Sequence, residues 1–391
     1  MSSHSSSPTP QKGETHDGTS PSGIEALDSQ FMRIPDNAVV TVTPNPCMDR
    51  TAAISTPLDR GGVNRITDVT DVPAGKGINV AMATYRADEP TVAIAPASAG
   101  DPFTSLVHKT GLSFVPTPAD HPVRVNLTVT EPDGTTTKLN EPGNPLEHDH
   151  IDTLTRVISQ VAQRASWIVL SGSLPPGLPT SWYADMVGAI RKSANGHDVK
   201  IAVDTSDKPL EELGARMLKD PAVAPDLLKP NGFEIGQILG LDGKNIEHEA
   251  SQGNLKPATE AAKLLVDHGV RYVLLTLGAS GAVLATHQGT WYASPPPITP
   301  VSTVGAGDSS LAGFIIGTQR SAHSNGTSSA TDSSVEKTAL QYAVAYGSAA
   351  TSLPGTTIPF PSQTQPESVT VMAGAEATWS QIGRASCRER V

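Results

Sequence analysis

Two rhythms of apolar and polar residues alternate along this chain. Short runs rich in Val, Ile and Leu predict strands at Val39–Thr43, Thr91–Ala95, Trp167–Ser171, Lys200–Asp204, Leu227–Lys229, Tyr272–Leu277 and Ala282–Thr286. Between and after them, amphipathic stretches predict helices at Gly77–Arg86, Phe103–Lys109, Ile151–Gln163, Thr180–Ser193, Pro209–Leu218, Phe233–Leu239, Pro257–His268, Asp308–Gln319 and Val335–Thr351. Alternating strands and helices predict an α/β fold with a mainly parallel sheet covered on both faces. Tyr272-Val273-Leu274-Leu275 is apolar without interruption, as burial on two sides requires.

One region breaks this rhythm. Arg124 to Asn140 alternates around Pro132-Asp133-Gly134, which predicts a hairpin in a small antiparallel accessory sheet, and Thr51–Thr70 is expected to join it. The expected organisation is a disordered tail over 1–35, a single folded α/β domain over 36–360 and a C-terminal tail over 361–391. A β lid is expected over about 50–74 and 114–140. Residues 1–35 are polar and of low complexity, with too little apolar area to offset ordering entropy. Ser321–Ser334 has the same character and reads as a surface loop, and Gly383–Val391 shifts abruptly to Arg-rich.

Charge and cysteine count narrow the function. A net charge of −11 over 391 residues argues against a general nucleic-acid-binding face. No apolar run approaches the roughly 20 residues of a membrane-spanning helix. The N-terminus lacks the apolar core of a secretory signal, so a cytoplasmic location is expected. Two cysteines, Cys47 and Cys387, exclude a disulfide scaffold and a Cys-rich zinc site.

Familiar nucleotide fingerprints fail. There is no Walker loop, and Gly75-Lys76-Gly77 and Gly305-Ala306-Gly307 are followed by Val80 and Ser310 where a dinucleotide fingerprint has its third glycine. Glu147-His148-Asp149-His150 reads as a solvated helix start in preference to a metal site. The strongest local signal is Val304 to Ser310. Its small residues open an apolar helix, leaving backbone N–H groups free to hold an anion at the helix N-terminus. Asp308 among those donors is placed to take a proton from an attacking hydroxyl; the alternative is that it only caps the helix. Gly75-Lys76-Gly77-Ile78-Asn79 is a second glycine-rich turn into a helix. Either Asn79 reaches a sugar hydroxyl, or this is an ordinary turn with a surface lysine. Polar residues follow the predicted strands at Asp49, Ser173, Lys229, Asn231, Glu234 and Gly278. Ligands of open α/β sheets bind at that edge.

Taken together, these segments resemble the ribokinase-like (PfkB) sugar kinases from about Val39 to Pro359. The resemblance rests on Val301 to Ser309 (V-x-x-V-G-A-G-D-S) and on G-K-G-I-N-V-A at Gly75–Ala81. Thr43 to Asp49, Arg124-Val125-Asn126, Leu139 to Gly143, S-G-S-L-P-P-G, K-P-N-x-x-E and Pro354-Gly355-Thr356 are most similar to the 1-phosphofructokinase branch. The resemblance implies a three-layer α/β/α sandwich with a β lid and ATP-dependent phosphorylation of fructose 1-phosphate. The same motifs also suit tagatose-6-phosphate kinase and PfkB-type 6-phosphofructokinase. It implies Asp308 as the base and Gly305, Ala306 and Gly307 as the anion hole. Asp49, Gly75 and Asn79 would bind sugar hydroxyls, and Lys76 and Arg124, with Ser173, the sugar phosphate. Lys229, Asn231 and Glu234 would lie near the ATP phosphates and Mg²⁺, with Thr276 and Gly278 near the nucleotide. Ala74 stands where a third glycine is common. Lids of such relatives often pair, so a homodimer is expected. A non-catalytic sugar-phosphate sensor is the alternative of a different class, and the intact Asp308 argues against it.

Overall fold

The computed structural model describes residues 34–324 and 333–374. The tail expected over 1–35 therefore lies outside the described residues except for Ile34 and Pro35, as does the Arg-rich end; of the loop expected over Ser321–Ser334, residues 325–332 lie outside them and the described ends are helical instead. Ile34, the first described residue, is already buried.

The strands are β1 (Val39–Val42), β2 (Cys47–Ile54), β3 (Ile66–Ala74), β4 (Thr91–Pro96), β5 (Ser113–Thr117), β6 (Arg124–Thr130), β7 (Thr136–Asn140), β8 (Trp167–Ser171), β9 (Lys200–Asp204), β10 (Leu227–Leu228), β11 (Tyr272–Thr276), β12 (Ala282–Thr286), β13 (Gly289–Ser294) and β14 (Thr370–Ala373). The helices are α1 (Lys76–Arg86), α2 (Pro102–Lys109), α3 (His148–Val161), α4 (Trp182–Ser193), α5 (Asp207–Met217), α6 (Gly232–Leu239), α7 (Gly243–Ser251), α8 (Lys256–Asp267), α9 (Ala306–Ser324) and α10 (Ser333–Thr351).

Ten strands form the main sheet in the order β14-β13-β12-β11-β10-β9-β8-β1-β4-β5. From β11 to β5 all neighbours are parallel, whereas β12, β13 and β14 run antiparallel at one edge. β1, β4 and β8 are buried at every position, the pattern that helices on both faces impose. The largest fully buried side chains include Trp167, Tyr183, Tyr346 and Phe314. α9 and α10 pack at backbone distance. A Cβ on Gly313 would stand 2.4 Å from the Tyr342 carbonyl oxygen, and one on Gly317 2.7 Å from Ala339 Cα.

A second sheet of four strands, β3-β2-β6-β7, is the lid. Three expectations need correcting here. The lid is not purely antiparallel, because its central pair, β2 and β6, is parallel. Its second segment does not start near 114, since β5 pairs with β4 in the main sheet and the lid resumes at Arg124. The domain does not end at 360, because Thr370–Ala373 adds β14 beside β13. β2 follows β1 after Thr43–Pro46, and β3 runs through Gly75 into α1. Both lid strands are thus anchored at the carboxyl edge of the main sheet.

Candidate active site

The ends of five neighbouring strands, β11, β10, β9, β8 and β1, supply most of the polar residues at one edge of the sheet. Two glycine-rich helix starts face them. At the first, Gly75 has φ 124°, and a Cβ there would lie 2.7 Å from Thr43 Cγ2, so only glycine fits. The turn launches α1, which carries Lys76 and buries Asn79. At the second, Gly305 has φ 77° and starts the turn into α9. Asp308 lies in the first turn of that helix, 7% exposed. Asn79 Nδ2 donates to Asp308 Oδ2 at 2.7 Å, which joins the two helix starts. Of the three anion-hole residues, Ala306 already donates its N–H to the Thr303 carbonyl at 3.3 Å.

Lys229, after β10, is 5% exposed. A Cβ on Gly307 would stand 3.2 Å from Lys229 Nζ, so the absence of a side chain at 307 brings the lysine close over the helix start. Lys229 Nζ lies 3.5 Å, and Lys76 Nζ 3.0 Å, from Asp204 Oδ1 at the end of β9. Asp204 was not singled out in the sequence, yet it is fully buried among these charges. The signal available was a carboxylate directly after the apolar run Ile201-Ala202-Val203, at the edge where ligands bind.

The charges set the protonation states. Burial pushes the Asp204 carboxyl up, but the Lys229 and Lys76 charges outweigh it and hold it below the usual carboxylate value. Burial also pushes Asp308 up; Lys76 and the Asn79 hydrogen bond oppose this, Asp204 adds to it, and its pKa stands above the ordinary one. Burial works against the Lys76 ammonium, yet the Asp204 and Asp308 charges raise its pKa above the ordinary lysine value. Lys76 Nζ donates to Asp204 Oδ1, so its ammonium group is anchored at the end of β9.

At the lid end, β2 starts where Cys47 pairs with both Ala74 and Arg124. Arg124 donates to the Glu141 carbonyl at 2.7 Å, to the Asn45 carbonyl at 3.3 Å and to Ser173 Oγ at 3.5 Å. Its buried Nε has no hydrogen-bond partner. Asp49 accepts from Asn126 at 3.2 Å and from Thr356 Oγ1 at 2.9 Å, which ties the lid to the Pro354-Gly355-Thr356 turn. That turn adjoins Gly305, where a Cβ would stand 3.8 Å from Thr356 Cγ2.

At the opposite end, Asn231 and Glu234 form a reciprocal capping box at the start of α6: Glu234 N–H donates to Asn231 Oδ1, and Asn231 N–H donates to Glu234 Oε2, both at 2.8 Å. Asn231 bridges to Thr276 at the end of β11, and Gly278 follows with φ 55°. Glu247 accepts from Gly232 N–H at 2.8 Å. Its carboxyl is pushed up by burial and, despite that hydrogen bond, by the Glu234 charge. His148 starts α3, and among the described residues no group of three or more acidic, His or Cys side chains is arranged to hold a metal ion.

Comparisons with known proteins identify the family of the chain. The pfkB family carbohydrate kinase model matches residues 42–363. The chain is 34% identical to a 1-phosphofructokinase of Haloferax volcanii over 283 residues, 71% of this chain and 83% of that protein. It is 30% identical to a 1-phosphofructokinase of Xanthomonas campestris pv. campestris over 70% of this chain and 82% of that one. The crystal structure of Escherichia coli phosphofructokinase-2 in complex with substrates and products superposes with a TM-score of 0.69 at 28% identity, covering 84% of this chain and 97% of that one. With its ribokinase-like sheet, its glycine-rich helix starts and this match over most of its length, the chain belongs to the PfkB family of carbohydrate kinases and is an ATP-dependent sugar-phosphate kinase.

Proposed function

We propose that the protein transfers the γ-phosphoryl group of ATP to a hydroxyl of fructose 1-phosphate, giving fructose 1,6-bisphosphate, with Asp308 as the catalytic base. The observation that carries the reading is the Asp308 carboxylate, buried at a helix N-terminus, bonded to Asn79 and flanked by cations. The names of the relatives support the choice of sugar. Asp49, Gly75 and Asn79 orient the sugar, and Arg124 with Ser173 grips its phosphate. Asp308 takes the proton of the attacking hydroxyl as the new P–O bond forms and the bond to ADP breaks. The N–H groups of Gly305 and Gly307, with Lys76 and Lys229, face the charge that develops on the transferring group. Asn231, Glu234, Thr276 and Gly278 belong to the nucleotide end.

Mg²⁺ fits the Glu234 carboxylate and its neighbour Glu247, because this ion is commonly held by one or two carboxylates, with phosphates and water completing the shell. When bound, it would neutralise charge on the ATP phosphates. The lid, closing over the sugar, excludes water and suppresses ATP hydrolysis. Ile66, Val69, Val72 and Leu139 expose apolar surface on lid strands, which supports pairing of two lids in a homodimer. Light scattering of the purified protein tests this, and a monomer at every concentration would refute it. Among the described residues no helix is long and apolar enough to cross a membrane, and the reading carries a cytoplasmic location with it.

The deciding assay is coupled ADP release with fructose 1-phosphate, fructose 6-phosphate and tagatose 6-phosphate. The expected result is the highest kcat/KM for fructose 1-phosphate. A higher value for either 6-phosphate would overturn the assigned sugar.

A further inference from the structure

Two lysines share one carboxylate oxygen in the cleft. Lys76 Nζ is 3.0 Å and Lys229 Nζ 3.5 Å from Asp204 Oδ1. The Asp204 side chain is 0% exposed, and its other oxygen, Oδ2, is buried without a hydrogen-bond partner. The lysines come from different parts of the fold. Lys76 opens α1 beside the lid, and Lys229 follows β10 two residues before the Asn231 cap. Without a counter-charge, two ammonium groups this close in a poorly solvated place would repel each other and turn outward. We propose that Asp204 is a positioning residue, a clamp that holds the Lys76 and Lys229 ammonium groups side by side at the phosphoryl-transfer end of the cleft.

The inference rests on the kinase reading above and adds a role that none of the sequence motifs assigned. Donors fixed before the substrate arrives need no reorganisation during transfer. The clamp also joins the sugar side of the cleft to its nucleotide side through one buried atom. Asp308 is faced by Lys76 and Asn79 from α1, by Asp204 from β9, by Lys229 after β10 and by Cys47 at the start of β2. Removing the Asp204 charge withdraws an anion from this group, but it also lets both lysines turn outward, and Lys76 acts on Asp308 more strongly than Asp204 does, so Asp308 ionises at higher pH.

The experiment is Asp204→Asn in the full chain, assayed with ATP and fructose 1-phosphate across pH. The expected kcat falls on the order of 10²-fold, the effect of a reacting group displaced by about 1 Å. KM for the sugar phosphate, gripped at Arg124, stays near the wild-type value, and the acidic limb of kcat moves to higher pH. A merely structural role would lower thermal stability and leave that limb in place or, with the lysines unmoved, shift it to lower pH, and either result would overturn the clamp.

Thermal unfolding of Lys229→Met, Asp204→Asn and the double variant gives a second reading that needs no activity. The clamp predicts that Asp204→Asn destabilises the wild type more than it destabilises Lys229→Met, because the double variant leaves fewer buried cations unpaired. Additive losses overturn it. If Asp204→Asn alone does not fold, a folded double variant supports the clamp, and a double variant that also fails while Lys229→Met folds overturns it. Wild-type protein inactive on every sugar phosphate would instead sink the kinase reading and leave the thermal comparison standing.

Discussion

The two ends of the cleft are built differently. At the Asp308 end, Asp204, Lys229, Asn79 and Asp308 are all buried and stand on the main sheet or the helices packed against it. Around Arg124, Ser173 is exposed, Asp49 is half-buried, and the contacts to Asn45 and Ser173 are long, at 3.3 and 3.5 Å. Charges at the first end interact in a poorly solvated medium and escape screening by salt, whereas those at the second are partly screened. On the proposed reading, the chemistry falls to the buried end on the main sheet, and recognition of the sugar phosphate to the more exposed end at the lid. Even the two buried carboxylates differ. Asp204 has two lysines and stays ionised, while Asp308 has a poorer balance of charge and resists ionisation.

The largest expected effect strikes the buried end. Asp308→Asn should lower kcat on the order of 10²–10⁴-fold, measured by coupled ADP release. The same substitution should raise the thermal midpoint at neutral pH. A carboxyl whose folded pKa is raised contributes stability while protonated, and that contribution is lost as pH rises through the raised value; the neutral amide avoids the loss. In the wild type, kcat should fall on acidification with a limb above the ordinary carboxylate value of 3.8, where Asp308 takes up its proton.

Arg124→Ala sharpens the comparison from the other side. It should raise KM for the sugar phosphate by about 10- to 10²-fold, the worth of a hydrogen bond to a charged group, with a smaller change in kcat. Wild-type KM should also rise with added salt while kcat holds steady. The smallest effect is expected of Thr356→Val, which removes one hydrogen bond to Asp49 and should weaken sugar binding a few-fold. A loss in kcat as large as that of Asp308→Asn, from either variant, would erase the distinction between the two ends.

Much of this was legible in the chain. Strands such as Trp167–Ser171 and Lys200–Asp204 match their predicted bounds, because two-sided burial leaves a continuous apolar run. β5 was missed because it is short, carries Pro116 and sits at the sheet edge, where a missing N–H is tolerated. β14 was missed because Thr370–Ala373 has strand character only in the company of β13. Asp308, Lys76 and Arg124 were visible through their surrounding motifs. Asp204 was not, since a carboxylate that ends a strand looks in one dimension like any turn residue. Its role depends on two lysines, 128 and 25 positions away in the chain, that only the folded sheet brings to it.

The backbone contact between α9 and α10 has a practical consequence. Because Gly313 and Gly317 let the two helices interlock along their main chains, their association should survive a break in the chain between them. Cleavage between residues 324 and 333 should leave two fragments that remain together and reassemble when mixed. That makes the connection a natural place to divide the enzyme for a complementation reporter whose signal is sugar phosphorylation itself.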